Sequence, residues 1–237
     1  MNISFALLSE PGPRPTNEDF LDCWTVQTGE TLACIADGLG GMGGGDIASR
    51  LAVQEFKRFL TFKKIDATSL VDAARSAHEA IRLAQDTQPV SRMATTFTGL
   101  AILGDSVVGV HCGDTRATIA RGNGIKRLTN DHSEGQRLFE AGKLTKGELA
   151  IYPRKHILES ALGDRDFPRI ETFNFDIEAR DRIFLTTDGV HNLVRLKELQ
   201  KLSSQSKTPS ELIKNVELEI ESIGPTDNYS MLVVYLS

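Results

Sequence analysis

The chain has 237 residues, of which 40% are hydrophobic and 25% charged, with a formal net charge of −5. That balance is the one expected of an ordinary globular protein. No apolar run approaches the ~20 residues needed to cross a bilayer, and no Lys/Arg cluster is dense enough to track a nucleic-acid backbone. The first residues, MNISFALLSEPG, lack the basic start and long apolar stretch of a signal peptide. Cys23, Cys34 and Cys112 lie in or beside apolar stretches, without CxxC or His at zinc spacing. They read as buried free thiols in a reducing compartment, so the expected location is cytoplasmic.

Along the chain, residues 2–8 and 22–36 read as short strands separated by the polar loop SEPGPRPTNED. Two helices follow. Residues 46–62 carry a stripe of Ile47, Leu51, Val53, Phe56 and Leu60, and residues 69–85 carry Leu70, Ala73, Ala77, Ile81 and Leu83. Strands are then expected at 95–103, 106–111 and 115–120, joined by turns containing Gly104-Asp105, Gly113-Asp114 and Gly122-Asn123-Gly124. Residues 133–161 read as a polar helical insertion. Strands return at 169–175 and 181–187, a helix spans 208–223, and the last strand covers 230–236. Strands in adjacent groups and helices in a pair lack the βαβ alternation of a parallel sheet. The pattern suits packed antiparallel sheets covered by helices, an α+β arrangement. No stretch has linker composition, so residues 1–237 read as one domain.

Four aspartates each stand at the end of an apolar run: Asp37 in CIADGLGG, Asp114 in VHCGDTR, Asp188 in IFLTTDG and Asp227 in PTDNYSMLVV. A strand end is a rigid support that projects a charge into a loop region. Four carboxylates converging in a partly dry site repel one another unless cations neutralise them. An all-oxygen set selects Mg²⁺ or Mn²⁺ over zinc.

The loop Gly38-Leu39-Gly40-Gly41-Met42-Gly43 satisfies GxGxxG between a strand and a helix. Asp37 would put an anion beside a pyrophosphate, however, and two consecutive helices follow where a dinucleotide-binding unit needs a returning strand. A Walker loop is excluded because no Gly-Lys-Ser/Thr follows. Small residues instead let the backbone turn tightly after Asp37 and expose the Gly38 carbonyl as a further oxygen ligand.

Taken in order, Arg14-Pro-Thr-Asn-Glu-Asp19, Ala36-Asp-Gly-Leu-Gly-Gly41, Met93-Ala-Thr-Thr96, Gly113-Asp-Thr-Arg116, Leu128-Thr-Asn-Asp-His-Ser133, Ala161-Leu-Gly163, Thr186-Thr-Asp-Gly-Val190 and Asp227-Asn-Tyr-Ser230 span nearly the whole chain. This series resembles the metal-dependent PPM family, the type 2C serine/threonine protein phosphatases. The resemblance implies an αββα four-layer sandwich of two antiparallel sheets flanked by helices, with residues 133–161 as the flap of bacterial members. It implies two Mn²⁺ or Mg²⁺ ions, with a third in some members. Asp37 would bridge the two, Gly38 would give its carbonyl, and Asp188 and Asp227 would complete the first ion's ligands. Glu18 and Asp19 would hold waters on the second ion, and Asp114 with Asp188 would support the third. Arg14 would bind phosphate, and a hydroxide between the metals would attack phosphorus without a phosphoenzyme intermediate. Leu39 and Met42 stand where other members carry histidines.

The resemblance further implies phosphorylated proteins as substrates, a serine/threonine kinase as counterpart and a monomeric state. Taken singly, Asp114, Asp227 and Asp19 are equally turn residues, and Arg14 a solvated loop arginine. A catalytically silent module that binds a phosphoprotein or a kinase is the alternative. Its mark would be a lost ligand, and none is lost. Trp24 and His111 read as core, and His132 as a loop brace.

Overall fold

The computed structural model describes residues 1–40, 43–87 and 93–237. Its elements in chain order are β1 (Ile3–Glu10), β2 (Asp19–Thr25), β3 (Thr31–Leu39), α1 (Gly45–Leu60), α2 (Ala67–Thr87), β4 (Ala94–Thr95), β5 (Phe97–Leu103), β6 (Ser106–Cys112) and β7 (Arg116–Arg121). They continue with β8 (Gly124–Arg127), α3 (Glu134–Glu140), α4 (Lys146–Ile151), β9 (Glu171–Asp176), β10 (Arg182–Thr186), α5 (Asp188–His191), α6 (Leu196–Gln205), α7 (Pro209–Ile223) and β11 (Tyr229–Leu236). Met42 and Gly41, read above as part of the loop after Asp37, lie outside the described residues.

One sheet runs β1-β11-β10-β7-β8, the other β2-β3-β5-β6-β9 with β4 attached to β3. All the pairings are antiparallel. The near-continuous apolar runs of β3, β5, β10 and β11 are explained by burial on both faces. In β3, Leu32, Cys34 and Ala36 pack with α1 and α2, while Ala33 and Ile35 point to the other sheet. In β11, Leu232 and Val234 join the core between the sheets, while Met231 and Val233 pack with α6 and α7. Three cores therefore separate four layers, the expected αββα sandwich.

Details differ from the sequence reading. Leu83 is exposed; it stands two residues from the buried Ile81, and helix positions two apart do not share a face. Trp24 is half-buried at the margin of the helix-side core, edge-on to Phe56 with the Lys57 ammonium over its ring. The segment 133–161 is helical only at α3 and α4. The rest is turn and extended chain, closed on itself by the bridge Ser133↔Leu158, and the bridge Thr95↔Leu162 ties the chain just after it to the body. The strand β8 and helix α6 were not anticipated. Among the described residues, no helix is long and apolar enough to cross a membrane.

Candidate active site

Antiparallel pairing brings the sequence-distant aspartates to one edge of the sandwich. Asp37 ends the buried part of β3 and lies opposite Asp19 at the start of β2. The β10–β11 pair holds Thr186 opposite Met231, so Asp188 leaves one strand where Asp227 enters the next. Asp114 sits in the β6–β7 turn. Arg14, Glu18, Asp37, Gly38, Asp114, Asp188 and Asp227 line a single cleft of about 380 Å³, together with Leu39, Gly40, His156, Leu158 and Asn228. Asp19 lies behind that wall, buried, and accepts a 2.9 Å hydrogen bond from the Thr187 hydroxyl. The cleft thus gathers seven of the eight residues expected at the site, with the eighth just beneath.

Backbone contacts leave no room for a side chain at Gly38. A Cβ there would lie 2.2 Å from the Gly45 carbonyl oxygen and 2.7 Å from that of Glu18. Its N–H donates to the Glu18 carbonyl at 3.1 Å, which ties the acidic loop to β3. Two residues quoted only as parts of motifs hold Asp37. The Asp37 N–H donates to the Thr96 hydroxyl at 3.1 Å, and the Thr95 hydroxyl donates to the Asp37 carbonyl at 2.8 Å.

Asn228 clamps the loop that carries Arg14. Its amide donates to the carbonyls of Pro11 (2.8 Å) and Thr16 (3.0 Å), and its carbonyl oxygen accepts the Glu18 N–H at 2.9 Å. No sequence signal separates this role from an ordinary turn asparagine. Asn228→Ala leaves the Thr16 carbonyl and the Glu18 N–H without this partner, while the Pro11 carbonyl keeps the Arg14 N–H at 3.1 Å, so stability should fall by about 1–3 kcal/mol in urea melts. KM for a phosphopeptide should rise as well, because Arg14 is no longer held in place. An unchanged KM would mean that the clamp does not position the loop.

Burial and mutual repulsion burden every carboxylate in the cleft for which a shift is resolved. Burial, then Asp19 and Asp188, raise Asp37 well above the ordinary carboxylate range. Burial, followed by Asp188, raises Asp114 to about 7. Burial also raises Asp19 to about 7, opposed by hydrogen bonds from Ser230 and Thr187. Burial and Asp227 raise Asp188, and burial with Asp46 raises Glu18. Arg14 offers the one permanent positive charge on the described wall, through a 2.8 Å ion pair with Asp227. Both partners are about half exposed, so the pair contributes little.

A charge deficit of this kind, built only from oxygen donors, fits hard divalent cations. Among the described residues, no three His, Cys, Asp or Glu side chains close into a finished cage. His111 is buried as expected: its Nε2 lies 2.9 Å from the Asn130 carbonyl and its Nδ1 2.9 Å from the Thr98 hydroxyl. His132 braces the Asp114 turn, accepting the Gly113 N–H at 3.2 Å. His156 stands on the cleft wall because the flap segment folds back over it.

A four-layer αββα sandwich with an acidic cleft at one sheet edge and an arginine on its rim is the arrangement expected of the phosphatase class that the motif series resembles. The comparisons agree. A family model described as "Protein phosphatase 2C" matches residues 15–216, and the chain belongs to that family of serine/threonine protein phosphatases. It is 27% identical to "Protein phosphatase PhpP" of Streptococcus pneumoniae, over 99% of this chain and 98% of that one. The serine/threonine phosphatase of S. agalactiae superposes over the full length of both chains, with a TM-score of 0.92 and 26% identity. The catalytic domain of the serine/threonine protein phosphatase PstP, solved in complex with two manganese ions, shares the fold. There the TM-score is 0.84 at 24% identity, over 99% of this chain and 98% of that one.

Proposed function

We propose that this chain removes phosphate from phosphoserine and phosphothreonine in proteins, using divalent metal held in the aspartate cleft. The observation that carries the reading is the convergence of Asp37, Gly38, Asp188 and Asp227, with Arg14 on the rim, in one cleft. Asp37, Asp188, Asp227 and the Gly38 carbonyl would hold two Mn²⁺ or Mg²⁺ ions. Glu18 and Asp19 would act through water, and Asp114 with Asp188 would hold a third, auxiliary ion. The two manganese ions of PstP support this stoichiometry. Bound cations supply Lewis acidity, neutralising phosphate charge and acidifying the attacking water.

The chain's own residues do the rest. Arg14 presents a planar, permanently charged fork to two phosphate oxygens, a geometry lysine cannot reproduce. Asn228, Thr95 and Thr96 fix the groups that meet the substrate, so positioning is prepaid in the fold. Leu39 stands where other members carry a histidine, so protonation of the leaving serine or threonine oxygen falls to water or to another group of the cleft, whose wall includes His156. The reading includes a monomeric enzyme in the cytoplasm that reverses the work of a serine/threonine kinase.

The test is release of phosphate from a phosphothreonine peptide. Turnover should require added Mn²⁺ or Mg²⁺ and stop with chelator. Arg14→Lys should keep metal dependence but lose roughly 10–100-fold in kcat/KM, the scale of a lost charge-assisted contact in the transition state. Peptide binding without turnover under any divalent ion would overturn the enzyme reading in favour of a silent binding module.

A further inference from the structure

Beside the cleft, between the flap segment and the catalytic edge, lies a smaller recess of about 150 Å³. Arg116 at the start of β7 and Arg127 at the end of β8 form its inner wall with Asp131. Lys155 and His156 of the flap segment face them, and Leu149 supplies an apolar side. The recess is contiguous with the cleft: His156 lines both. Asn192, on the recess wall, donates to the Asp188 carboxylate at 3.3 Å.

The charges in this recess do not balance. Asp131 is taken by Arg116, whose Nε and Nη2 grip its two oxygens at 3.0 and 2.6 Å. Arg127 reaches the same carboxylate only at 3.5 Å. It spends its Nε on the Thr129 carbonyl at 2.6 Å. Its other carboxylate neighbour, Glu140, is exposed and held by Gln136 at 3.0 Å. Three permanent cations therefore line a recess whose one lining carboxylate is already engaged; the Lys155 ammonium donates only to the Ala150 carbonyl, at 2.7 Å, and the Arg127 side chain is only 22% exposed. Burial, with Arg116 close by, pulls Arg127 below its ordinary value. A half-buried guanidinium without a short ionic partner is a site short of one anion.

We propose that this recess is a second anion site, which takes a carboxylate or phosphate side chain of the same protein substrate whose scissile phosphate occupies the cleft. The inference rests on the phosphatase reading and narrows it to substrates carrying a negative side chain a few residues from the phosphoserine or phosphothreonine. Leu149 accommodates the aliphatic stem of such a side chain, and the planar arginine fork suits either head group.

The test uses the full chain with Mn²⁺ and phosphothreonine peptides. Each position within about five residues of the phosphothreonine, a reach of under ~20 Å in extended chain, is made Gln, Glu or phosphoserine in turn. At one position Glu should raise kcat/KM roughly tenfold over Gln, chiefly through KM, and phosphoserine should raise it further. Release from threonine is followed by mass spectrometry, and the advantage should shrink as salt is added. Arg127→Gln and Lys155→Gln should each remove most of the preference while leaving the Gln peptide's rate within about twofold.

Equilibrium affinities of the same peptides separate the two readings. A Glu or phosphoserine preference in binding without turnover would sink the phosphatase assignment and leave the site standing. Equal rates and affinities across the series, or a preference that survives when Arg127→Gln and Lys155→Gln are combined, would overturn the site alone.

Discussion

Asp37→Asn should lower phosphate hydrolysis by on the order of 10³-fold, the effect of removing a principal charged group from a preorganised site, without weakening the metal-free protein. Asp37 contacts the problem from every side. Its side chain is partly buried in the cleft wall, and burial together with Asp19, Asp188, Asp114 and Asp227 disfavours its charge. Asparagine keeps the volume and one oxygen but removes the charge. In the protein without metal, asparagine removes the cost of either charging Asp37 beside its neighbours or holding a proton on it, and the new amide N–H groups face carboxylates that can accept them. Urea midpoints in chelator should therefore match or exceed those of the parent chain. With Mn²⁺ the order should reverse, because an ion stabilises the state it binds by mass action and Asn no longer offers an anion to it. A variant retaining more than about a tenth of parental kcat with Mn²⁺ would remove Asp37 from the centre of the chemistry. The neighbouring Thr95 and Thr96 bonds run to the backbone of Asp37, so the substitution leaves the scaffold that holds the position intact.

Much of the architecture was legible because central strands of a sandwich are buried on both faces, which leaves long apolar runs with an abrupt polar end. Those ends are where Asp37, Asp188 and Asp227 stand, so one signal marked both the strands and the cleft. What escaped had weak or non-local signals. Strand β8 is four residues at a sheet edge, GIKR, with little burial to pattern it. Helix α6 buries only Leu199 and Ser203, too few to mark a stripe. The flap segment carries turn chemistry, and its short helix α4 is defined by a capping box between Thr145 and Glu148 rather than by an apolar face. Within the site, Thr95, Thr96 and Asn228 act through backbone groups far away in sequence, which composition and spacing do not display. His156 reaches the cleft only because the flap folds back.

Divalent cation should stabilise the protein progressively more as pH rises from about 5 to about 8. Asp19 and Asp114 stand at about 7 in the folded state, against an ordinary carboxylate value of ~3.9. A group whose folded value is raised stabilises the fold fully below its unfolded value and loses that contribution as pH climbs through the folded one. For these two carboxylates the window is about 4 to 7, and stability falls across it as protons leave. The buried histidines work in the opposite direction. Burial, then His132, pushes His111 down to about 3, and burial with Arg116 drives His191 well below its usual range. Their contribution is complete above ~6.5 and is lost as pH falls. The two sets oppose each other between about 4 and 6.5, so the metal-free protein should weaken from about 6.5 to about 7, where only the carboxylate contribution is still changing, and these groups add no further change above that. Comparing melts with Mg²⁺ or Mn²⁺ against chelator cancels the histidine contributions, since neither histidine lines the cleft. An ion entering the cleft displaces the protons that burial and repulsion hold on these carboxylates. Apparent affinity should then rise by about tenfold per pH unit for each proton displaced. A gain in melting temperature that is already full at pH 5 would show carboxylates ionised without the cation. The mutual repulsion on which the metal reading rests would then be too weak to demand one.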